Sequence, residues 1–207
     1  MKKDNIFWIS YSDLMTSLFF VMLVLFVVTI GYLKYNLKTT KEQLNKIHEL
    51  QTAVQQLPDE YFEYQSQYKR FKFNKQIQFE KGSSTIKPKY HGYLKQVGNS
   101  IVNLINELKN QDKFSKFDIK YLVVIEGMAS KDSYSKNYEL SYKRALSLFR
   151  FWKTNGISFE ATDIEIQISG SGTEGIREYS GDYEYKNQQF LIHIIPKMGK
   201  IQNNENR

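Results

Sequence analysis

The chain has 207 residues, which suits one globular domain plus a smaller accessory region. It contains no cysteine, which excludes disulfides, thiol catalysis and cysteine-based zinc sites. The formal net charge is +7 and is carried entirely by residues 34–207, where acidic residues are interleaved with the basic ones. This pattern argues against nucleic acid as a partner and favours anionic lipid head groups or cell-wall polymers.

An apolar segment runs from Phe7 to Leu33 and carries no charge after Asp13. Residues 14–33 would span roughly 30 Å as a helix, the thickness of a bilayer core. The alternative is a cleaved signal peptide, whose apolar region is about 7–15 residues long and ends at a small-residue cleavage site. We therefore predict a retained transmembrane helix at 7–33 after a short N-terminus at 1–6. Lysines flank both ends, so charge alone does not decide the orientation.

Asp13 is the ionisable residue of this segment, about 9 Å into it by helical rise. A charge at the centre of a spanning helix costs about 2.5–3.5 kcal/mol. Ser10, Thr16 and Ser17 share its helix face by i,i+3 and i,i+4 spacing. Asp13 either lies inert among the head groups or binds and releases a cation or proton between helices.

Residues 34–70 form a polar connector. Apolar residues recur at threes and sevens from Leu37 to Leu57, which predicts an amphipathic helix that Pro58 ends. Two arrangements are open: a parallel coiled coil between two copies, or a helix lying back on its own domain. Residues 59–70 receive no assignment.

From residue 71 to 197, strands alternate with helices, and a tail follows at 198–207. The patterns predict a strand or hairpin at 71–79, a turn at 82–84, a helix from Pro88, a strand at 118–125, a loop at 127–135, a helix at 137–153 ended by Gly156, a strand at 164–168, a loop at 170–187 and a strand at 190–195. The predicted fold is a single transmembrane α-helix plus an α/β two-layer sandwich.

The sequence offers no set of residues typical of an enzyme. No Ser/His/Asp set, phosphate-binding loop or paired carboxylates stand out. His193 alternates within the last strand and is expected to pack, and His48 and His91 do not suggest a metal site. We predict no catalytic activity, no metal and no cofactor.

The run from Trp8 to Thr16, WISYSDLMT, resembles the start of the MotB family of flagellar stator subunits. The resemblance implies a cytoplasmic N-terminus in a bacterial inner membrane and a periplasmic C-terminal domain. It makes Asp13 the ion-carrying carboxylate, with Ser10, Thr16 and Ser17 lining its path. It also implies a homodimer of this chain inside a ring, a pentamer, of a multi-helix MotA-like partner.

The later region resembles the OmpA-like peptidoglycan-binding domain over residues 73–196. The shared motifs are Phe79-x-x-Gly82-Ser83 with Pro88, Ile125-Glu126-Gly127, Asn137-x-x-Leu140-Ser141-x-x-Arg144-Ala145 and Gly170-x-Gly172. In that family the motif's arginine and a loop aspartate hold the diaminopimelate of the peptide stem. The resemblance implies that Arg144, Asn137, Ser141 and Ser130 contact peptidoglycan.

Two departures qualify this resemblance. The family's Gly-His-Thr-Asp is replaced by Gly-Met-Ala-Ser at 127–130, with Asp132 two residues on as a substitute, and its Asn-Arg-Arg becomes Asn-Gln-Gln at 187–189. The ligand is then held differently, or the domain is a dimeric support. Without a ligand, Arg144 would be a solvated helix residue, Asn137 a helix N-cap, and Ser141 a capping or packing residue.

Together these features predict the B subunit of an ion-driven rotary motor, passing a proton or sodium ion at Asp13 and anchored to peptidoglycan. The serine-rich helix start and divergent loop are also similar to ZorB motor subunits of Zorya anti-phage defence systems, so flagellar-like and defence machinery both stay open. The alternative from another class is a passive envelope tether in which Asp13 is inert.

Overall fold

A computed structural model describes residues 2–111, 117–159 and 164–201 of the chain. The elements are α1 (Lys2–Val54), β1 (Phe62–Gln65), β2 (Arg70–Phe73), a 3₁₀ turn (Pro88–Tyr90), α2 (His91–Gln111), β3 (Phe117–Met128), α3 (Asn137–Thr154), β4 (Ile164–Gly172), a 3₁₀ helix (Gly181–Asn187) and β5 (Phe190–Ile201). The chain divides into two compact units, Met1–His48 and Glu49–Arg207. One long apolar helix followed by an α/β sandwich confirms the predicted fold class.

The first unit is the N-terminal part of α1. Among the described residues one helix is long and apolar enough to cross a membrane, and its most apolar stretch is 0% buried within the protein. Large apolar side chains on all sides of this stretch are exposed, from Phe7 to Leu33. Such all-round apolarity is typical of a helix whose solvent is lipid.

The end of α1 belongs to the second unit. Leu50, Val54 and Leu57 are at most 4% exposed and lie in the core of the second unit. Over residues 50–54 the helix therefore packs on its own domain, as in the second arrangement, and Leu57 follows it into the same core. The helix ends at Val54, before Pro58, because the amides of 55–56 bond back three residues in a tighter turn.

The sheet has five strands in the order β1-β2-β5-β3-β4. β1 and β2 form a hairpin with Phe62 opposite Phe73. The strand or hairpin predicted at 71–79 was wrong in its bounds. Only Arg70–Phe73 is a strand there, and its hairpin partner lies in the unassigned part of the connector. β5 pairs antiparallel with both β2 and β3. β3 and β4 are parallel, and α3 supplies the crossover connection that parallel strands need.

Three other boundaries differ from the prediction. β3 continues to Met128 and β4 to Gly172, so the loops predicted from 127 and 170 begin later. The second of these loops contains a 3₁₀ helix at Gly181–Asn187. β5 continues to Ile201, beyond the predicted strand at 190–195 and into the predicted tail. The helix stop at Gly156 is confirmed, because its φ of +76° is a conformation that favours glycine.

Helices α2 and α3 cover one face of the sheet. Trp152 of α3 is fully buried, and its indole N–H donates to Leu94 O of α2 at 2.7 Å. On the sheet side, a Cβ at Gly127 would lie 2.2 Å from Ser141 O, and one at Gly170 would lie 2.4 Å from Tyr142 N. Both positions require glycine, since α3 packs backbone against backbone on β3 and β4.

Candidate functional site

The site is built around the start of α3. Asn137 is the first residue of this helix, and Lys136 occupies the N-cap position without a side-chain cap bond. The interpretation of Asn137 as the N-cap was therefore wrong. Its side chain is 5% exposed, and its amide donates to Asp132 Oδ1 at 2.8 Å. The helix start thus holds the carboxylate of the preceding loop.

The loop from Ala129 to Lys136 is fixed by its own side chains and by the segment after β4. Asp132 Oδ1 accepts a second hydrogen bond, from the amide of Tyr134 at 3.0 Å, which closes a turn of the Asx type. Arg177 donates to Ala129 O at 2.9 Å and pairs with Glu184, which also accepts the amide of Lys131 at 2.9 Å. The position of Asp132 is therefore anchored on both sides.

Arg144 lies two turns along α3 from Asn137, on the same side of the helix. It is 3% exposed, so it is not a solvated helix residue. Its Nε donates to Ser83 O at 3.1 Å and its Nη1 to Gln188 Oε1 at 3.5 Å. Its guanidinium carbon lies 4.6 Å from the centre of the Phe79 ring. Within the described residues, Nη2 makes no hydrogen bond and is available to a ligand.

These groups surround one cavity of about 480 Å³. This is within the size range of small-molecule pockets. The lining residues are Phe79, Glu80, Lys81, Gly82, Ser130, Asp132, Tyr134, Asn137, Leu140, Arg144 and Gln188. Three of the four residues predicted to contact peptidoglycan lie here: Arg144, Asn137 and Ser130.

Gln188 connects two sides of the cavity. Its Nε2 donates to Ser130 Oγ at 2.5 Å while its Oε1 accepts from Arg144. Ser130 is 8% exposed, and this hydrogen bond occupies its hydroxyl oxygen as an acceptor. Gln188 thereby fixes one edge of the guanidinium and leaves the other edge for a ligand.

The cavity carries both signs of charge. The hydrogen bond from Asn137 is the largest cause that lowers the pKa of the Asp132 carboxyl, and the Tyr134 amide, Lys81 and Arg144 act in the same direction against partial burial. Burial lowers the pKa of the Arg144 guanidinium, and Asp132 opposes that effect. An arginine stays charged across the physiological range. The cavity therefore presents a carboxylate and a guanidinium, which suits a ligand carrying an ammonium and a carboxylate.

Ser141, the fourth predicted contact, is not among the residues that line the cavity. It is fully buried, its hydroxyl donates to Tyr138 O at 2.8 Å, and its Oγ accepts the amide of Gly172 at 2.9 Å. This places Ser141 in the packing of α3 on β4. The shared glycines at 127, 170 and 172 face the same part of α3. Ser141 and these glycines therefore stabilise the packing of the fold.

Sequence reasoning missed Gln188 and Phe79 as cavity residues and gave Asp132 only as a substitute. The first two come from distant segments, one before α2 and one before β5. Asp132 was detectable as an acid next to the divergent loop. Its hydrogen bond to Asn137 depends on the loop conformation, which the sequence does not specify.

The other predicted site lies in the first unit. Asp13, Ser10, Thr16 and Ser17 are all exposed on the surface of α1. Thr16 Oγ1 donates to Ser12 O at 2.8 Å, which satisfies its hydroxyl within the helix. The Asp13 carboxylate and its hydroxyl neighbours are therefore open to a partner helix or to water.

Two of the histidines each contact a side chain on a neighbouring element. Within the described residues no three His, Asp or Glu side chains are grouped to hold an ion. His193, expected to pack, pairs with Glu126 at 2.7 Å. Burial alone would raise the pKa of Glu126, but hydrogen bonds from His193 and Ser171 outweigh it and lower the pKa. His91 lies against Phe151, with ring centres 4.8 Å apart.

No protein-family model and no curated protein matches this sequence. Among solved structures, the periplasmic domain of Helicobacter pylori MotB is 14% identical, with 65% of this chain and 86% of that chain covered and a TM-score of 0.44. The peptidoglycan-associated lipoprotein of Burkholderia pseudomallei is 14% identical, with 59% and 91% covered and a TM-score of 0.36. The OmpA-like domain of FopA1 from Francisella tularensis is 17% identical, with 67% and 82% covered and a TM-score of 0.38. At these identities and scores, no conclusion about activity or ligand follows.

Proposed function

We propose that this chain is a single-pass protein of a bacterial inner membrane whose periplasmic domain binds the peptide stem of peptidoglycan. The observation that carries the proposal is the presence of Arg144 and Asp132 in one cavity. A diaminopimelate end carries a carboxylate and an ammonium on the same carbon. The carboxylate would bind Arg144 Nη2 and the ammonium would bind the Asp132 carboxylate.

Asp132 takes the place of the loop aspartate that the sequence lacks at position 130. The loop lacks an acid at 130, but Asp132 supplies one, held by Asn137 and the Tyr134 amide. Gln188 also contributes a neutral hydrogen bond where the resembling family has an arginine. Arg144 and Asp132 therefore supply a cation and an anion to the peptide site, without a second arginine at 188 to compete for Asp132.

The test uses the free stem peptide, released from sacculi by an amidase, titrated against the full chain in detergent. Wild type should bind it, and Arg144→Ala should lower the affinity at least tenfold because charged hydrogen bonds contribute about 1.5–3 kcal/mol. Arg150→Ala, an exposed arginine two turns further along α3, is the matched control and should bind like wild type. Equal binding by Arg144→Ala would overturn the peptide site.

The membrane helix supports a second part of the proposal: that the chain is the B subunit of an ion-driven rotary motor. The supporting observation is Asp13, exposed on the apolar helix surface next to Ser12 and Thr16. In lipid this charge needs a partner or water, and two copies of the helix inside a ring of multi-helix subunits would supply both. A proton or sodium ion on Asp13 would be driven by about 2.3 kcal/mol per 100 mV.

The machine that such a motor serves is either flagellar-like or an anti-phage defence system of the ZorB type. The competing function is a passive tether, in which the peptide site works and Asp13 is inert. Tagged wild type and Asp13→Asn, purified from membranes, separate the two. A motor requires that a multi-helix protein co-purifies with both and that ion-dependent activity in the host is lost in Asp13→Asn. Full activity in Asp13→Asn without a co-purifying partner would establish the tether.

A further inference from the structure

A second concave surface lies along α3, beside the Arg144 cavity. It is open, has a volume of about 860 Å³, and runs between α3 and the segment 84–86. We call it the α3 groove. Its main polar and aromatic side chains are Thr85, His91, Tyr142, Ser147, Arg150 and Phe151.

The groove has aromatic surfaces for a ring-shaped ligand. His91 and Phe151 lie together on one wall, with ring centres 4.8 Å apart. Tyr142, also on α3, is 45% exposed, so much of its ring is free to contact a ligand. Pyranose rings present a flat face of C–H groups that packs on aromatic rings, while their hydroxyls hydrogen-bond at the edges.

Two donor-only side chains, Lys143 and Arg150, line the groove together with hydroxyl groups that can donate or accept. Lys143 pairs with Glu139 at 3.8 Å, an exposed contact that a ligand can replace. In the part of the chain that the structure describes, the exposed Arg150 guanidinium makes no hydrogen bond or ion pair. No carboxylate lines the groove among the described residues. Such a surface can hydrogen-bond the acetamido carbonyls, hydroxyls and ether oxygens of a polysaccharide.

The groove and the peptide cavity are lined by adjacent parts of one segment. Residues 79–82 line the cavity and residues 84–86 line the groove. Between them, Ser83 O accepts the hydrogen bond of Arg144 Nε at 3.1 Å, which holds the segment to α3. Ser147 follows Arg144 by three residues of α3, a rise of roughly 4.5 Å. A ligand with two linked parts can therefore occupy both surfaces at once.

We propose that the α3 groove binds the glycan strand of peptidoglycan, whose N-acetylated sugars carry the peptide stem. This inference rests on the proposed peptide site, since the stem and its sugar are covalently joined. The peptide cavity would bind the ionic end of the stem. The groove would bind the uncharged polysaccharide through aromatic contacts and hydrogen bonds. Two weak contacts on one polymer would add through effective concentration.

The test uses two products of one amidase digest of sacculi: peptide-free glycan strands and free stem peptide. Each is titrated against the full chain in detergent. Tyr142→Ala and Arg150→Ala should each weaken the binding of glycan strands at least fivefold and leave the stem peptide affinity unchanged. Arg144→Ala should do the reverse. Tyr183→Ala, an exposed tyrosine outside the groove, is the matched control and should change neither affinity.

The failures are distinguishable. If wild type binds stem peptide but not glycan strands, or if the groove variants bind glycan strands like wild type, the groove proposal is overturned and the peptide site stands. If stem peptide fails to bind as well, the proposed function fails with it. Loss of binding to anionic lipid vesicles in Arg150→Ala, with glycan binding intact, would make the groove a membrane contact and overturn the proposal. Thermal unfolding of each variant checks that the domain remains folded.

Discussion

The side-chain amide of Asn137 donates a 2.8 Å hydrogen bond to the Asp132 carboxylate. A residue of the helix motif thereby fixes an acid that lies outside the motif, two residues beyond the expected position. Asn137 of the shared helix motif thus holds in the cavity an acid that stands at 132 instead of 130. Because the hydrogen bond also lowers the pKa of Asp132, the carboxylate stays charged in mild acid.

Asp132→Asn should weaken stem peptide binding about tenfold at pH 7, because an amide replaces the charged acceptor of the ligand ammonium. The control is Asp182→Asn, an exposed acid outside the cavity. Titration of free stem peptide by calorimetry measures both. Equal affinities of wild type and Asp132→Asn would show that the ammonium is held elsewhere.

The pH dependence of this difference is a separate prediction. The folded pKa of Asp132 is lowered, so the carboxylate is charged at all pH values above its usual pKa of about 3.9. The affinity ratio of wild type to Asp132→Asn should stay constant from pH 7 to about pH 5 and shrink as the pH falls through the lowered pKa. The same protonation should remove whatever stability the carboxylate contributes to the fold. A ratio that collapses by about pH 6 would contradict the assignment.

Gln188→Ala should lower the stem peptide affinity less than Arg144→Ala or Asp132→Asn does. It removes the bridge between Ser130 and Arg144 but leaves the guanidinium in place through Ser83 O. A neutral hydrogen bond contributes about 0.5–1.5 kcal/mol, so the stem peptide affinity should fall about 2- to 10-fold. Gln167→Ala on β4 serves as the control. A loss as large as that of Arg144→Ala would make Gln188 itself a main ligand contact.

Gly127→Ala should destabilise the second unit, residues 49–207, by about 3 kcal/mol or more. The added Cβ would lie 2.2 Å from Ser141 O, and neither backbone can yield without moving α3 away from β3. The control is Gly92→Ala, where a Cβ would meet nothing within 4 Å and where alanine favours helix. Denaturant unfolding followed by circular dichroism compares the two. Similar midpoints would mean that α3 packs further from the sheet.

His193→Ala should raise the pKa of Glu126, because it removes the 2.7 Å hydrogen bond that most strongly lowers it. In wild type the lowered pKa stabilises the fold above the unfolded value of about 4.3, and this stabilisation is lost as pH falls through the folded pKa. The variant should therefore lose less stability than wild type between about pH 5 and pH 3. The exposed pair of Lys197 and Glu165 gives the control, since Lys197→Ala should leave this slope unchanged.

Periodicity was enough to predict α2, β3, α3 and β4, since each has a continuous apolar face. It was not enough for β1, whose four residues alternate too briefly to differ from a loop and are defined by pairing with β2. Arg144 could be predicted from its motif. Gln188 and Asp132 could not be assigned in the same way, because their roles depend on segments that meet only in the folded domain.

The two glycine contacts under α3 have a mechanical consequence. Ser141 O faces Gly127 and the Tyr142 amide faces Gly170, so backbone atoms of the helix sit in two notches of the sheet. Sliding α3 by a single residue, about 1.5 Å along its axis, would drive the neighbouring side chains into those notches. Arg144 is therefore locked in axial register with the strands. Tension applied to a ligand on Arg144 would therefore pass into the sheet through the close contacts at Gly127 and Gly170, and α3 would not slide along the sheet.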